Sequence, residues 1–316
     1  MSNIVLKVEN VSKKFGENFA VNHLSFDIHE GEIFGFLGPN GAGKTTTIRM
    51  ITGLAKMNSG DIKINGFSIK KEFEKAINFV GAIIEAPQVY NNMSGFDNLK
   101  YYASLYKNIK IDRIDEVVNI VSLKDRIKDK VSKYSLGMKQ RLGIACALIG
   151  NPKLLILDEP TNGLDPQGVI EIRHFLRKIA TQNKMAILIS SHNLTEIELM
   201  CDTIAIINKG NLESIRSIDN LKLEEQKSNI LIKVNFPNYA GKLISQKFNI
   251  PHIAIIKNTL SVDLPQEKIP ELTVLLVSNG IAIYSISSAT KTLEDVFLDT
   301  INKRALPLNV GGNKNE

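Results

Sequence analysis

The feature that most constrains this chain is a glycine-rich segment at residues 38–45, which reads GPNGAGKT. An apolar run at residues 33–37 precedes it, and Ile48 and Ile51 follow it at helical spacing. A strand, a GxxxxGK[ST] turn and a helix in this order form a phosphate-binding loop. The glycines let successive N–H groups point at an anion, and the positive end of the helix faces the same place. The segment therefore predicts a nucleoside-triphosphate site in an α/β fold.

Two side chains of this loop have distinct expected tasks. The Lys44 ammonium is expected to reach the β- and γ-phosphates, and the Thr45 hydroxyl is expected to bind Mg²⁺. The residues of the loop that we expect to contact the nucleotide are Gly38, Asn40, Gly41, Ala42, Gly43, Lys44, Thr45 and Thr46.

A pair of carboxylates supplies the acidic groups that this chemistry needs. Residues 154–157 are apolar and predict a buried strand, and Asp158 and Glu159 follow directly. Ligands of open α/β sheets bind at the carboxyl ends of the strands. Asp158 is therefore expected to hold Mg²⁺, mostly through water, and Glu159 is expected to polarise the water that attacks the γ-phosphate.

The order of the predicted elements indicates two different folds along the chain. Short apolar strands alternate with helical patterns as far as about residue 209, which predicts a mostly parallel sheet covered on both faces. Beyond residue 217 the order becomes β-α-β-β-α-β, as in small split-βαβ domains. The helices expected in the first part include residues 94–106, N-capped by Ser94, and residues 137–149.

Composition argues against several other classes of protein. The net charge is +6, but the lysines are scattered and are not interleaved with aromatic residues, so we expect a solvated surface and no nucleic-acid partner. Cys146 and Cys201 are far apart and no CxxC occurs, which favours a reducing cytosol. No stretch approaches the roughly 20 apolar residues of a membrane helix, so work at a membrane would require docking onto another protein.

Four further motifs carry a resemblance to a known family. Residues 134–141, YSLGMKQR, resemble the signature of ABC transporter ATPases, and residues 162–165, NGLD, resemble their D-loop. His192 ends a strand pattern where that family has its switch histidine, and Phe15 with Gly16 matches its adenine-stacking pair. The motifs occur in the family's order over about residues 4–210. The chain is therefore similar to an ABC ATPase that uses ATP and Mg²⁺.

The resemblance implies roles and partners for these residues. Ser135 and the Gly137 N–H would bind the γ-phosphate of ATP held by a second subunit, which implies two ATPase domains and, most simply, a homodimer. His192 would contact the γ-phosphate and keep the attacking water in line, and Phe15 would stack on adenine. The family also implies an integral membrane permease as partner, and a peripheral position at the cytoplasmic face of a bacterial plasma membrane.

The resemblance over residues 4–210 and the change of pattern after residue 217 together predict the domain bounds. They are an ATP-binding domain at residues 1–215 with a helical subdomain at about 86–150, an α+β accessory domain at 216–305, and a flexible tail at 306–316.

Three positions depart from the family pattern. Leu136 replaces the first signature glycine, where any need for positive φ would cause strain, and Met138 replaces glutamine. Glu85 stands where the family has a glutamine, and its carboxylate is expected to meet Mg²⁺ or a water bound to it. The segment GAIIE at residues 81–85 and the altered signature resemble the bacitracin-resistance and lantibiotic-immunity branch of exporter ATPases. Residues 292–297, TLEDVF, resemble the closing helix of drug-export ATPases.

The expected function is ATP hydrolysis that drives export of peptide antibiotics or other amphipathic drugs. Soluble ABC ATPases that act on ribosomes are an alternative, although they usually carry two cassettes and this chain has one phosphate-binding loop. Chromosome or repair ATPases have a long coiled coil, for which residues 45–135 leave no room. An importer ATPase is the remaining rival, and Glu85 together with residues 292–297 favours export.

Overall fold

A computed structural model describes residues 3–107, 109–220, 229–251 and 253–288 of the chain. The chain divides into two compact units, Met1–Ser217 and Ile218–Glu316. The predicted tail at residues 306–316, the TLEDVF segment and the end of the predicted accessory domain lie outside the described residues.

The first unit alternates strands with helices along most of its length. Its strands are β1 (Ile4–Phe15), β2 (Asn18–His29), β3 (Ile33–Leu37), β4 (Ser59–Ile64), β5 (Phe67–Ser68), β6 (Val80–Ile83), β7 (Leu154–Asp158), β8 (Ala186–Ser191), β9 (Thr203–Asn208) and β10 (Asn211–Ser217). Its α-helices are α1 (Lys44–Ile51), α2 (Phe73–Ile77), α3 (Gly95–Ser104), α4 (Ile111–Ile120), α5 (Leu136–Leu148), α6 (Pro166–Asn183) and α7 (Leu194–Met200).

A six-stranded sheet forms the centre of this unit, in the order β10-β9-β3-β8-β7-β6. The pairs β9-β3, β3-β8, β8-β7 and β7-β6 are parallel, and β10-β9 is antiparallel. Every residue of β3, β7 and β8 is buried, as expected for strands covered on both faces. The predicted mostly parallel α/β fold is confirmed.

A second, antiparallel sheet has the order β2-β1-β4-β5. Phe26 of β2 packs against Phe34 and Phe36 of β3, with ring centroids 5.2 and 5.0 Å apart, so the two sheets share one core. The apolar runs that mark the central strands do not predict this sheet. Its long strands alternate buried and exposed residues, and the β1–β2 pairing contains several register shifts.

A helical segment lies between β6 and β7. The Ser94 hydroxyl accepts a hydrogen bond from the Asp97 N–H at 3.0 Å, which confirms the predicted N-cap of α3. In the same way the Ser135 hydroxyl caps α5 by accepting from the Met138 N–H at 3.2 Å. Both predicted helices are present, with ends that differ from the expected ones by one or two residues.

The second unit has a split-βαβ topology. Its elements are β11 (Asn229–Val234), α8 (Pro237–Phe248), β12 (Ala254–Ile256), β13 (Thr259–Asp263), α9 (Ile269–Ser278) and β14 (Ile283–Ser288). The strand order is β12-β13-β11-β14 with antiparallel neighbours, and an apolar core that includes Ile232, Ile244 and Leu276 joins the sheet to both helices. The predicted β-α-β-β-α-β order is confirmed.

Within the described ranges, no helix has both the length and the apolar character needed to cross a bilayer.

Candidate nucleotide-binding site

The carboxyl ends of four neighbouring strands bring the predicted catalytic segments to one edge of the central sheet. The phosphate-binding loop follows β3, His192 follows β8, Glu159 follows β7, and Glu85 comes shortly after β6. This is where open parallel sheets bind ligands. The strand order therefore assembles residues that are more than 150 positions apart in sequence, counted from residue 38 to residue 192.

A cavity of about 390 Å³ lies at this edge. Most of the residues predicted to bind the nucleotide or the metal line it. The lining residues are Ala20, Asn40, Gly41, Ala42, Gly43, Lys44, Thr45, Thr46, Glu85, Asp158, Glu159 and Asn162.

Two glycines of the loop are required by close backbone contacts. A Cβ at Gly38 would lie 2.3 Å from the Ile207 carbonyl oxygen, and one at Gly43 would lie 2.5 Å from the Ala20 carbonyl oxygen. Gly43 also has a φ of +108°, a conformation that side chains disfavour. The loop can therefore pass close to its neighbours only with glycine at these two positions.

Lys44 places a buried positive charge at the base of the cavity. Its ammonium donates to the carbonyl oxygens of Gly38 at 2.6 Å and Pro39 at 3.3 Å, and it lies 3.8 Å from a Glu159 carboxylate oxygen. Burial lowers the Lys44 pKa, and the nearby carboxylates of Glu159 and Asp158 partly oppose that effect. A triphosphate would offer this ammonium stronger partners than the carbonyls do.

Thr45 and Asp158 form a group of oxygens that suits Mg²⁺. The Thr45 hydroxyl donates to Asp158 Oδ2 at 3.1 Å, and Asp158 is only 4% exposed. Mg²⁺ usually takes one or two carboxylates together with waters and substrate phosphates. Within the described residues, no group of three or more His, Cys, Asp or Glu side chains could hold a metal ion. The oxygens of Thr45 and Asp158 fit Mg²⁺ when it arrives with a nucleotide.

Ser190 is a site residue that the motifs did not identify. Its hydroxyl, fully buried on β8, donates to Asp158 Oδ1, and it also accepts from the Glu159 N–H at 3.1 Å. Ser190 thus fixes both carboxylate residues from the adjacent strand. Its position at the end of a predicted strand just before His192 is the signal that could have found it.

Glu159 is held in a fixed orientation beside the cavity. Its φ is +50°, in the left-handed region that glutamate rarely adopts. His192 Nδ1 lies 2.9 Å from Glu159 Oε2, while the other carboxylate oxygen faces Lys44. A carboxylate fixed in this way can accept a proton from a water and remain close to phosphate charge.

Glu85 lines the same cavity but has a partner that the sequence did not indicate. Its carboxylate lies 2.5 Å from the guanidinium of Arg49, and its φ is +69°. Arg49 is four residues after Thr45 on α1, a spacing that places both on one helix face. The metal contact expected of Glu85 stays a prediction.

Phe15, Ser135 and Gly137 do not line the cavity. Phe15 is 59% exposed at the end of β1, with the Lys13 ammonium 5.0 Å from its ring centroid. Ser135 and Gly137 lie at the start of α5, where Leu136 is half exposed and has no positive φ, so the expected strain at Leu136 is absent. The two signature residues therefore lie outside the cavity lined by this chain's own phosphate-binding loop.

Comparison with known proteins decides the family. The family model described as ABC transporter matches residues 21–162. The ABC transporter ATP-binding protein YhcH of Bacillus subtilis is 48% identical over 295 residues, which are 93% of this chain and 95% of that protein. This chain belongs to the ABC transporter ATP-binding proteins. This ABC ATPase therefore binds ATP and hydrolyses it.

Two further similarities describe the ABC ATPase more closely. The bacitracin transport ATP-binding protein BcrA of Bacillus licheniformis is 40% identical over 94% of this chain and 97% of its own length. A solved ATP-binding cassette, described as a dimer in a post-hydrolysis state with ADP and Pi, has a TM-score of 0.60. It is 23% identical and covers 67% of this chain and 98% of its own, so it establishes the shared fold.

Proposed function

We propose that this chain is the ATP-hydrolysing subunit of an exporter of peptide antibiotics or other amphipathic drugs. The observation that carries the proposal is the similarity to BcrA, a bacitracin transport protein, along 94% of the chain and therefore beyond the ATP-binding cassette. The GAIIE segment at residues 81–85, with glutamate at its end, supports the same branch.

The proposed chemistry assigns one task to each group of the site. The loop N–H groups and the Lys44 ammonium bind the phosphates. Thr45 and Asp158 hold Mg²⁺, which when bound neutralises phosphate charge. Glu159 accepts the proton of the attacking water, and His192, 2.9 Å away, orients the Glu159 carboxylate.

We propose that a second copy of the chain completes each site. Ser135 and Gly137 lie outside their own cavity, yet they stand at the N-terminus of α5, a position suited to phosphate. In a homodimer this N-terminus would face the ATP of the partner. The solved cassette of the same fold is described as a dimer, which supports this arrangement.

We also propose a docking groove for the membrane permease. A second cavity of about 390 Å³ lies where α1, β6, α3 and α5 meet. Its rim includes Leu54, which is 71% exposed, together with Pro87 and Tyr102. A short apolar cytoplasmic segment of an integral membrane permease fits such a groove, and would keep this chain at the cytoplasmic face of the bacterial plasma membrane.

Crosslinking from this region tests the transporter proposal. Tyr90 is 48% exposed and its backbone N–H is held by the side chain of Asn98, so Tyr90→Cys should preserve the local structure. The native thiols will not interfere, because burial raises the pKa of Cys146 to about 12 and that of Cys201 still further. We expect Tyr90→Cys to crosslink to a membrane protein in cells, and Lys178→Cys on α6 to serve as the control that does not. Crosslinks to ribosomal proteins alone would contradict the proposal.

A further inference from the structure

An ion pair at the edge of the nucleotide cavity has no task in the chemistry above. The Arg49 guanidinium and the Glu85 carboxylate lie 2.5 Å apart, and Glu85 lines the cavity. Arg49 and Thr45 lie on the same face of α1, and Thr45 is one helical turn closer to the phosphate-binding loop. The pair therefore joins the helix that carries the metal-binding hydroxyl to the loop that follows β6.

The charges around the cavity explain why Glu85 needs a partner. The ionisable side chains that line it are one cation, Lys44, and the carboxylates of Glu85, Asp158 and Glu159. A triphosphate adds several more negative charges, and like charges at short range repel. Arg49 supplies the charge that offsets Glu85 while no cation is bound.

The loop that carries Glu85 is also attached to the helical segment. Pro87 packs so closely on α5 that a Cβ at Gly143 would lie 2.6 Å from it, and the Tyr102 hydroxyl of α3 donates to the Gln88 carbonyl. One end of the loop is thus tied to α1 by Arg49, and the other end to α3 and α5. A change of partner at Glu85 would act on the helices that carry the signature and the proposed groove.

We propose that Arg49 is a positioning residue that holds the Glu85 carboxylate on α1 until ATP and Mg²⁺ bind, when Glu85 leaves Arg49 for the cation or a water bound to it. This inference rests on the proposed function, because it requires the cation site at Thr45 and Asp158. The plain alternative is an exposed ion pair of little consequence, since the Arg49 and Glu85 side chains are 48% and 67% exposed. The two differ in one respect: only the proposal couples Arg49 to the cation through Glu85.

Equilibrium binding of ATP to the purified full chain separates these possibilities. The Kd is measured with excess EDTA and again with excess Mg²⁺, and the ratio of the two values is the readout. In Arg49→Ala the unpaired Glu85 repels free ATP but meets the cation of MgATP, so we expect the ratio to rise about three- to tenfold. Arg49→Lys, which keeps the charge, should restore most of the parental ratio.

A double-mutant cycle shows whether the effect passes through Glu85. In the Glu85→Gln background, Arg49→Ala should leave the ratio unchanged, because no carboxylate remains to be released. Arg126→Ala removes a comparable exposed pair with Asp129, at 2.6 Å, and should leave the ratio at its parental value. An unchanged ratio in Arg49→Ala, or an equal rise with and without Glu85, would overturn the proposal. The proposed function fails separately, if Lys44→Ala binds ATP as tightly as the parental chain.

Discussion

Two carboxylate residues line the same cavity, one at the end of an inner strand of the sheet and the other after its edge strand. Asp158 ends β7, between β8 and β6, and is 4% exposed, with its oxygens bonded to Thr45 and Ser190. Glu85 follows the edge strand β6, and its side chain is 67% exposed and forms an ion pair with Arg49. The sequence motifs treat both as acidic groups near the metal, but their surroundings differ greatly.

This difference indicates which carboxylate suits the hydrolysis of ATP and which suits the transmission of a change from the nucleotide site to neighbouring helices. A carboxylate fixed by buried partners keeps its geometry while the reaction proceeds, as a preorganised site requires. A carboxylate on an exposed loop can exchange partners at little cost, and it can carry that change to neighbouring helices. We therefore assign binding and hydrolysis to the β7 side of the cavity and coupling to the β6 side.

The largest expected effect on nucleotide binding comes from Lys44→Ala. Loss of a buried charged partner costs about 2–5 kcal/mol, which raises the Kd for ATP by about 30-fold or more. Isothermal titration of MgATP into both proteins measures it, with Lys124→Ala, an exposed lysine outside the cavity, as the control. If Lys44→Ala bound ATP as tightly as the parental chain, the assignment of nucleotide binding to the buried groups on the β7 side would be contradicted.

A smaller effect is expected for Ser190→Ala, which leaves the Asp158 and Glu159 side chains intact. The substitution leaves a buried carboxylate oxygen without its donor, at a cost of about 1–3 kcal/mol in the free energy of unfolding. We expect the ATPase rate to fall about tenfold, which corresponds to about 1.4 kcal/mol of barrier, as Asp158 loses its fixed position. Urea unfolding and phosphate release measure the two quantities.

The matched control for Ser190→Ala is Ser104→Ala, whose hydroxyl donates to the Tyr101 carbonyl at an exposed site. It should change neither the unfolding free energy nor the rate by a comparable amount. Equal behaviour of the two serine variants would show that the support from β8 has no role in hydrolysis.

The smallest effect on hydrolysis is expected for Glu85→Gln. The rate in the assembled complex should change by less than about tenfold, or about 1.4 kcal/mol of barrier. Cellular resistance to the exported compound should fall more, because the loop after β6 is attached to α3 and α5. Glu116→Gln on α4 is the control for a lost surface carboxylate, since the Glu116 side chain is 55% exposed and pairs with Arg113. If Glu85→Ala altered neither the ATPase rate nor cellular resistance, the assignment of coupling to Glu85 would be contradicted.

Local spacing predicted much of this molecule. The phosphate-binding loop, the apolar strands β3, β7 and β8, the cap at Ser94 and the order of the elements in the second unit follow from patterns within about 20 residues. Such patterns encode strand, turn and helix directly, because burial on both faces requires apolar runs and capping requires a hydroxyl at one position.

Features that depend on strand order could not be predicted in this way. Ser190 supports Asp158 only because β8 lies beside β7, and Arg49 meets Glu85 only because α1 lies near the end of β6. The antiparallel sheet of β1, β2, β4 and β5 was missed for a different reason, since register shifts interrupt the alternating pattern of its strands. Neither long-range strand pairing nor a bulge can be recognised from the spacing of apolar residues along a short segment.

The most direct test of the central assignment is hydrolysis and dimerisation of Glu159→Gln. The amide cannot accept a proton, so the rate of phosphate release should fall by about 100- to 10,000-fold while ATP still binds. Light scattering with MgATP should then reveal a trapped dimer, and in the phosphate-release assay Glu85→Gln should stay within about tenfold of the parental rate. Parental hydrolysis by Glu159→Gln, or an equal loss in Glu85→Gln, would contradict the assignment of chemistry to the β7 side.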